Sequence, residues 1–161
     1  MLIVREYTPA DATWVLAQHI AHYTQVENFD ASFGATVEGL LVHARRTDPN
    51  EAVTGWIAEF DGAQAGCIFL SRDGPGVARV HLLFVREDVR GTGVGQRLLE
   101  TFEIHAATAG YTKCRLATFA EHAYACRLYL RNGYRLSDSF ATEAFGRALT
   151  EQRWEKAIQA K

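Results

Sequence analysis

The chain has 161 residues, 48% of them hydrophobic, which is enough for one ordinary globular core and short for two. Its 17 basic and 19 acidic side chains leave a formal net charge of -2, so there is no general pull toward nucleic acid or an anionic membrane. The N-terminal segment lacks a basic stretch followed by a long apolar one, and nothing approaches the roughly 18 uncharged residues of a membrane span, so the expectation is a soluble, unexported, cytoplasmic protein.

The elements can be read in chain order. Leu2 to Arg5 has the composition of a short strand. "TPAD" then opens a helix, with Thr8 as cap, Pro9 at the first helical position and Asp11 at the positive end of the dipole; Trp14, Ala17 and Ala21 share one face. A second helix is predicted over Ser32 to Arg46, where Phe33, Val37, Leu40, Leu41 and Ala44 recur at helical spacing and "TDPN" stops the run. "AVTGWIAEF" and "AQAGCIFLSR" are two β-rich segments joined by Asp61-Gly62, a pair suited to the tight turn of an antiparallel hairpin. Beyond "DGPG", "VARVHLLFV" gives a third strand. A helix follows in which Val94, Leu98, Phe102 and Ala106 repeat by four, and Gly110 ends it.

"KCRLATF" reads as a buried strand, "HAYACRLYLRN" as a short helix closed by Gly133, and "YRL" as another strand. A polar loop with Phe145-Gly146 and a last strand, "QRWEKAI", complete the chain. The order is β-α-α-β-β-β-α-β-α-β-β, an α/β fold with helices packed on a mixed sheet. There is no repeat or linker signal, so residues 1–161 are read as one domain. Cys67, Cys114 and Cys126 are odd in number, widely spaced and set in apolar segments, which fits buried thiols rather than a disulfide framework or a metal knuckle. Glu59 and the pair Arg45-Arg46 read as solvated faces, and Glu121 as a charge at a helix start.

Gly91, Gly93 and Gly95 stand where a strand hands over to a helix. There, bare backbone can bring several N–H groups to an anion, and a phosphate is the natural guest. The dinucleotide fingerprint does not fit, because "GTGVG" has the wrong glycine spacing and does not follow Val85 directly. A P-loop does not fit either, because Gln96-Arg97 stands where Lys-Ser or Lys-Thr is needed.

The loop resembles the signature of the GNAT superfamily of acyl-coenzyme A dependent N-acetyltransferases, which is Arg or Gln, any two residues, Gly, any residue, then Gly or Ala. Here these positions are Arg90, Gly93 and Gly95, with Val85 ending the strand upstream. "RLYLRNGYRL" is similar to that family's C-terminal "LYxxxGF" segment, with Leu128, Tyr129, Gly133 and Tyr134 in register. The stretch from "WIAEFDG" to "FGRALTEQRW" looks closest to GNAT domains fused behind MarR-type winged-helix repressors, although no winged helix is present in this sequence. The resemblance spans nearly the whole chain. It implies the GNAT fold, direct transfer of an acetyl group from acetyl-CoA to a primary amine of a small molecule or peptide, no metal, and a homodimer as a common state.

The resemblance also implies site residues. Arg90 and the main chain of Gly91, Thr92, Gly93, Val94, Gly95 and Gln96 would hold the coenzyme's pyrophosphate. Leu83, Phe84 and Val85 would hydrogen-bond the pantetheine arm, with main-chain N–H near Leu83 polarising the thioester. Tyr129 would be the general acid for the leaving thiolate. His122 stands where many members carry an asparagine that contacts the pantetheine arm, and its imidazole could donate one such bond. The acceptor side would be lined by the first two helices and the loop before the last strand, around Tyr23, Phe29 and the segment from Phe140 to Phe145.

Two alternatives stay open. His81 matches the place of a catalytic histidine in some members, and neutral imidazole is a base near physiological pH, but a histidine hydrogen-bonded for structure on a half-buried strand reads equally well. The altered residue at 122 leaves room for a non-catalytic acyl-CoA sensor or interaction module instead of an enzyme.

Overall fold

The computed structural model describes residues 1–44 and 52–161; the expected helix end at Arg45-Arg46 and the "TDPN" stop lie outside them. The elements are β1 (Leu2–Glu6), α1 (Ala12–Gln25), α2 (Ser32–His43), β2 (Thr54–Phe60), β3 (Ala63–Arg72), β4 (Val77–Val85), α3 (Val94–Thr108), β5 (Lys113–Phe119), α4 (Ala123–Arg131), β6 (Arg135–Ala144) and β7 (Arg147–Ala157). This is the order read from the sequence. The strands form one mixed sheet, β1-β2-β3-β4-β5-β7-β6, in which β4 and β5 run parallel and the other neighbours antiparallel.

Strand alternation sends side chains to two cores. On β3, Ile68 and Leu70 join Ala78 and Val80 of β4 under α3 and α4, against Leu98, Phe102 and Tyr129. Cys67 and Phe69 face the other way, toward Val15 of α1 and Val37 and Leu41 of α2. One irregularity in β4 changes this bookkeeping. Cys67 pairs with Phe84 and Phe69 with His81, so β4 carries one extra residue, and Leu82 takes a positive φ of 50°. Upstream of this bulge the even-numbered residues serve the α3 core; downstream it is Leu83 and Val85, while Leu82 and Phe84 join the α1–α2 core.

Local chemistry explains the element ends. Asp61 and Gly62 have φ of 50° and 84°, as a two-residue hairpin turn of the expected kind requires. In α4, Tyr134 N–H bonds to the Tyr129 carbonyl (3.1 Å) and Gly133 N–H to that of Leu130 (3.2 Å), with Gly133 at positive φ; this double bond pattern stops the helix and fixes its last turn. At Gly66 a Cβ would lie 2.5 Å from the Phe84 carbonyl oxygen, so β3 approaches β4 there only because glycine is present.

Two expectations are corrected. The buried face of α1 is Val15 and His19, whereas Ala17 and Ala21 are exposed, because a buried histidine stands where an apolar residue was sought. The expected polar loop is strand: β6 runs to Ala144 and turns at Phe145-Gly146 straight into β7. β6 is an edge strand with both faces largely exposed, so it needs no apolar alternation and gives no hydropathic signal.

Asp11 is more than a dipole charge. It is 3% exposed, accepts two hydrogen bonds from Arg5 (2.9 and 2.8 Å), one from Gln64 (2.8 Å) and one from the Thr8 amide (2.9 Å). Arg5 also binds Glu59 (3.0 Å), so Glu59 is a partner in this cluster and not simply a solvated face. The Arg5 hydrogen bonds hold the Asp11 carboxyl down at about 2, from an ordinary 3.8. A depressed carboxylate stabilises the fold fully above its unfolded pKa and loses that contribution as pH falls through about 2; the shift corresponds to about 2 kcal/mol. Asp11→Asn is therefore expected to cost about 2 kcal/mol in urea unfolding at pH 7, with the gap to the parent narrowing as pH drops from about 4 to 2. A gap independent of pH would assign the loss to packing instead.

Candidate active site

The loop after β4 ends at Gly93, whose φ of 95° caps α3, and the first intrahelical bond runs from Arg97 N–H to the Gly93 carbonyl (3.0 Å). The helix therefore makes no use of the amides of Gly93, Val94, Gly95 and Gln96, and among the described residues no side chain caps them. They point out from the positive end of a fifteen-residue helix, which is anion-binding geometry. Gly91 and Gly93 have open space where a Cβ would stand; at Gly95 a Cβ would meet the Tyr124 hydroxyl at 2.4 Å. The Val94 side chain is buried in the core, so only its main chain serves the loop. The Gln96 side chain is committed to a reciprocal pair with Asn132 (2.8 and 2.9 Å), and the Thr92 hydroxyl to the Val89 carbonyl.

Arg90 crosses from strand to helix. Its Nε donates to the Val85 carbonyl (3.1 Å) and its guanidinium lies 4.8 Å from the centre of the Tyr124 ring. This stacking holds a permanent cation beside the free amides.

A groove leads inward from the loop. β4 and β5 pair only where Val77 to Arg79 meet Lys113 to Arg115, and beyond those three rungs they part. Past Arg79 the β5-facing edge of β4 has no strand partner among the described residues, which leaves main-chain groups of Leu83, Phe84 and Val85 beside the opening. The groove has two lobes. The loop-side lobe, about 260 Å³, lies among Val85, Arg90, Tyr124 and Arg127, with His22 and Glu27 across it. The strand-side lobe, about 200 Å³, lies between Arg79 to Leu83 and Ala117 to Phe119 and is closed by Tyr129. Tyr23, Leu83, His122 and Ala125 border both.

The residues expected to do chemistry meet here. Tyr129 is 4% exposed, and burial pushes its phenol pKa well above the usual value, so it stays protonated at any working pH. His81 shares its lobe. The bulge turns His81 and Leu82 toward the same side, and His81 Nε2 lies 2.6 Å from Ser71 Oγ. Burial, followed by the charge of Arg79, lowers the His81 pKa to about 4, so the imidazole is neutral but a feeble base. His122 sits at the seam, its ring 5.0 Å from Tyr23 and 5.6 Å from Phe119. Its Nε2 is buried without a partner among the described residues, and burial lowers its pKa.

The residues expected on the acceptor side are only partly brought together. Tyr23, Phe29 and Phe145 converge, with Phe29 5.5 Å from Tyr23 and 5.1 Å from Phe145, but Phe140 lies on the outer hairpin under the Arg153 guanidinium. Glu121 is exposed at the start of α4, and its carboxylate also accepts the Thr150 amide (3.0 Å), tying β7 to that helix end. Sequence reading missed Tyr124, Arg127 and Arg79. The first two are three apart on one helix face, and Arg79 is two residues before His81 on one strand face, so both periodicities contained them. Among the described residues no group of three or more His, Cys, Asp or Glu side chains is placed to hold a metal ion, and no helix is long and apolar enough to cross a membrane.

A split sheet, an uncapped helix start after a glycine loop and a buried tyrosine across the groove define an acyl-transfer architecture. The model of the acetyltransferase (GNAT) family matches residues 17–134, and the chain belongs to that family. Comparison with curated proteins gave no match. Among solved structures, an acetyltransferase of the GNAT family from Staphylococcus aureus Mu50 superposes with a TM-score of 0.81 at 15% identity, covering 99% of this chain and 100% of that one. The ribosomal-protein-alanine N-acetyltransferase of Brucella melitensis gives 0.76 at 19% identity, over 97% and 99% of the two chains. The Salmonella typhimurium protein yncA, solved with its cofactor acetyl-CoA, gives 0.72 at 16% identity, over 100% and 95%. At these identities the likeness speaks to the fold.

Proposed function

We propose that the chain moves the acetyl group of acetyl-CoA directly onto a primary amine, with residues 1–161 acting as one catalytic domain. The observation that carries this reading is the run of uncapped amides from Gly93 to Gln96, which follows Arg90 and packs at Gly95 against Tyr124, two residues that line a groove whose other lobe is bordered by Tyr129. In this reading those amides and the loop from Gly91 bind the diphosphate, with Arg90 and Arg127 adding positive charge at the rim. The unpaired edge of β4 from Leu83 to Val85 meets the amides of the pantetheine arm, and His122 Nε2 supplies one more hydrogen bond at the seam.

The thioester supplies an activated acyl carbon. The amine nitrogen adds to that carbon and the carbon–sulfur bond breaks. Tyr129 gives the departing sulfur its phenolic proton, the nitrogen releases a proton to water, and water reprotonates Tyr129. The products are the N-acetyl amine and the free thiol, and no bond to the protein forms. With a pKa of about 4, His81 takes little of the amine's proton; its expected role as base narrows to a neutral hydrogen-bonding group held by Ser71. Likeness to acetyltransferase domains fused behind MarR-type repressors, a cytoplasmic setting, and pairing of copies along an exposed edge strand belong to the same reading.

The test is thiol release from acetyl-CoA across a panel of small amines, polyamines and peptides. Binding of coenzyme A by calorimetry without release above background would replace transfer with a non-catalytic acyl-CoA module. The pH profile is specific too. The rate is expected to rise between about pH 6 and 9 as the acceptor amine loses its proton, and His81→Gln should leave that limb in place. A limb near pH 6.5 that disappears in His81→Gln would restore His81 as the base.

A further inference from the structure

The strand-side lobe describes the acceptor it is built for. Among the described residues, few buried side-chain nitrogens lack a hydrogen-bond partner, and two of them, His19 Nε2 and Arg79 Nε, belong to residues that line this lobe and not the other, with His122 Nε2 at the seam of both. Buried polar atoms of this kind are normally satisfied, so several around one cavity indicate a polar guest.

Their chemistry can be assigned. Arg79 Nε can only donate. His19 is 1% exposed and its Nδ1 lies 2.8 Å from the Val15 carbonyl; that nitrogen must carry the hydrogen, so Nε2 presents a bare acceptor. The His19 ring is neutral, with burial lowering its pKa to about 4, and His81 is neutral for the same reason. Arg79 is then the only charged side chain on the lobe's wall, where no aspartate or glutamate stands among the described lining residues. Its guanidinium has Asp73 4.0 Å from Nη1, a carboxylate shared with Arg115 at 3.5 Å, while its Nε is buried without a hydrogen-bond partner among the described residues. The rest of the wall is apolar or aromatic, with Tyr23, Phe33 and Phe119. The cavity volume of about 200 Å³ is below the roughly 300–1,000 Å³ of drug-sized ligand sites, so the guest is small.

We propose that the acceptor is a small amine that carries its own carboxylate, an amino-acid-like molecule whose acid group is held by Arg79, whose N–H groups meet His19 Nε2, and whose apolar side chain lies among Tyr23, Phe33 and Phe119. A polyamine or a lysine-rich peptide would bring further positive charge to a wall that offers it only a guanidinium. This assignment rests on the transfer reading above and adds the substrate class to it.

Two matched pairs test it: L-phenylalanine against 2-phenylethylamine, and L-leucine against 3-methylbutylamine, each differing by the carboxylate, with spermidine as the polycation. In thiol-release assays the parent protein is expected to prefer the acid of at least one pair by roughly tenfold to a hundredfold in kcat/KM, the range of a charge-assisted hydrogen bond. Arg79→Met keeps the packing of the stem and should bring that ratio to about one while the acetyl-CoA dissociation constant stays within about twofold; Arg79→Lys should keep part of the preference. Equal use of both members of each pair, preference for spermidine, or a ratio untouched by Arg79→Met would overturn the proposal. Should acetyl-CoA bind and no amine release thiol, the transfer reading fails on its own. Calorimetry with N-acetyl-L-phenylalanine and N-acetyl-2-phenylethylamine then decides the acid site: tighter binding of the acid that is lost in Arg79→Met supports it, and equal binding refutes it.

Discussion

Tyr129→Phe is expected to lower kcat for acetyl transfer by about a hundredfold or more, the range of a positioned proton donor, with the acetyl-CoA dissociation constant changed by no more than about twofold. The substitution removes one oxygen and keeps the ring, which is packed 5.6 Å from Tyr134 in the α3–α4 core. Stability should therefore stay near that of the parent, which separates chemistry from folding. The expectation follows from place as much as from residue type. The chain-reversing hydrogen bonds at Gly133 fix the last turn of α4, and that turn presents Tyr129 to the groove. A variant that turns over at the parent rate would remove Tyr129 from the proton path and leave the departing sulfur to water.

Gly93→Val should weaken acetyl-CoA binding by about tenfold or more, because two effects coincide. A β-branched residue is strained at a φ of 95°, and its side chain would occupy open space beside the amides proposed to bind the diphosphate. Strain alone is controlled by Gly62→Val, at a φ of 84° in a turn where a Cβ also meets open space, far from the groove. Both variants should lose comparable stability, about 1–3 kcal/mol, but only the Gly93 variant should lose coenzyme affinity in calorimetry. Equal affinity in the two would make the loop's glycines structural.

Much of this was legible in the sequence, for identifiable reasons. Asp61-Gly62, Gly110 and Gly133 each stand at a positive φ that few other residues accept, so they punctuate the chain unambiguously. The repeat Val94, Leu98, Phe102, Ala106 is wholly buried, because α3 lies flat on the sheet and its pattern has one face to satisfy. What stayed hidden depends on pairing between distant segments. The parting of β4 from β5 creates the groove, yet neither strand's composition records where its partner leaves. His19 broke the pattern of α1 because its burial is justified by a bond to Val15, by the Tyr23 ring one turn on in the same helix, and by the rings of Phe33 and Phe84 from two other segments, which its neighbours do not reveal. β6 reads in the sequence as no more than "YRL", and its run to Ala144 stays hidden, because an edge strand needs only the backbone of β7.

The extra residue at Leu82 makes β4 two half-strands that answer to opposite parities. Rules inferred for inward positions before it are wrong by one after it, so a chimera exchanging the segment that ends at Val85 has to carry the insertion along. Deleting that single residue would restore plain alternation, with Val80, His81, Leu83 and Phe84 each on its present face, and would remove the one place where two successive side chains point the same way.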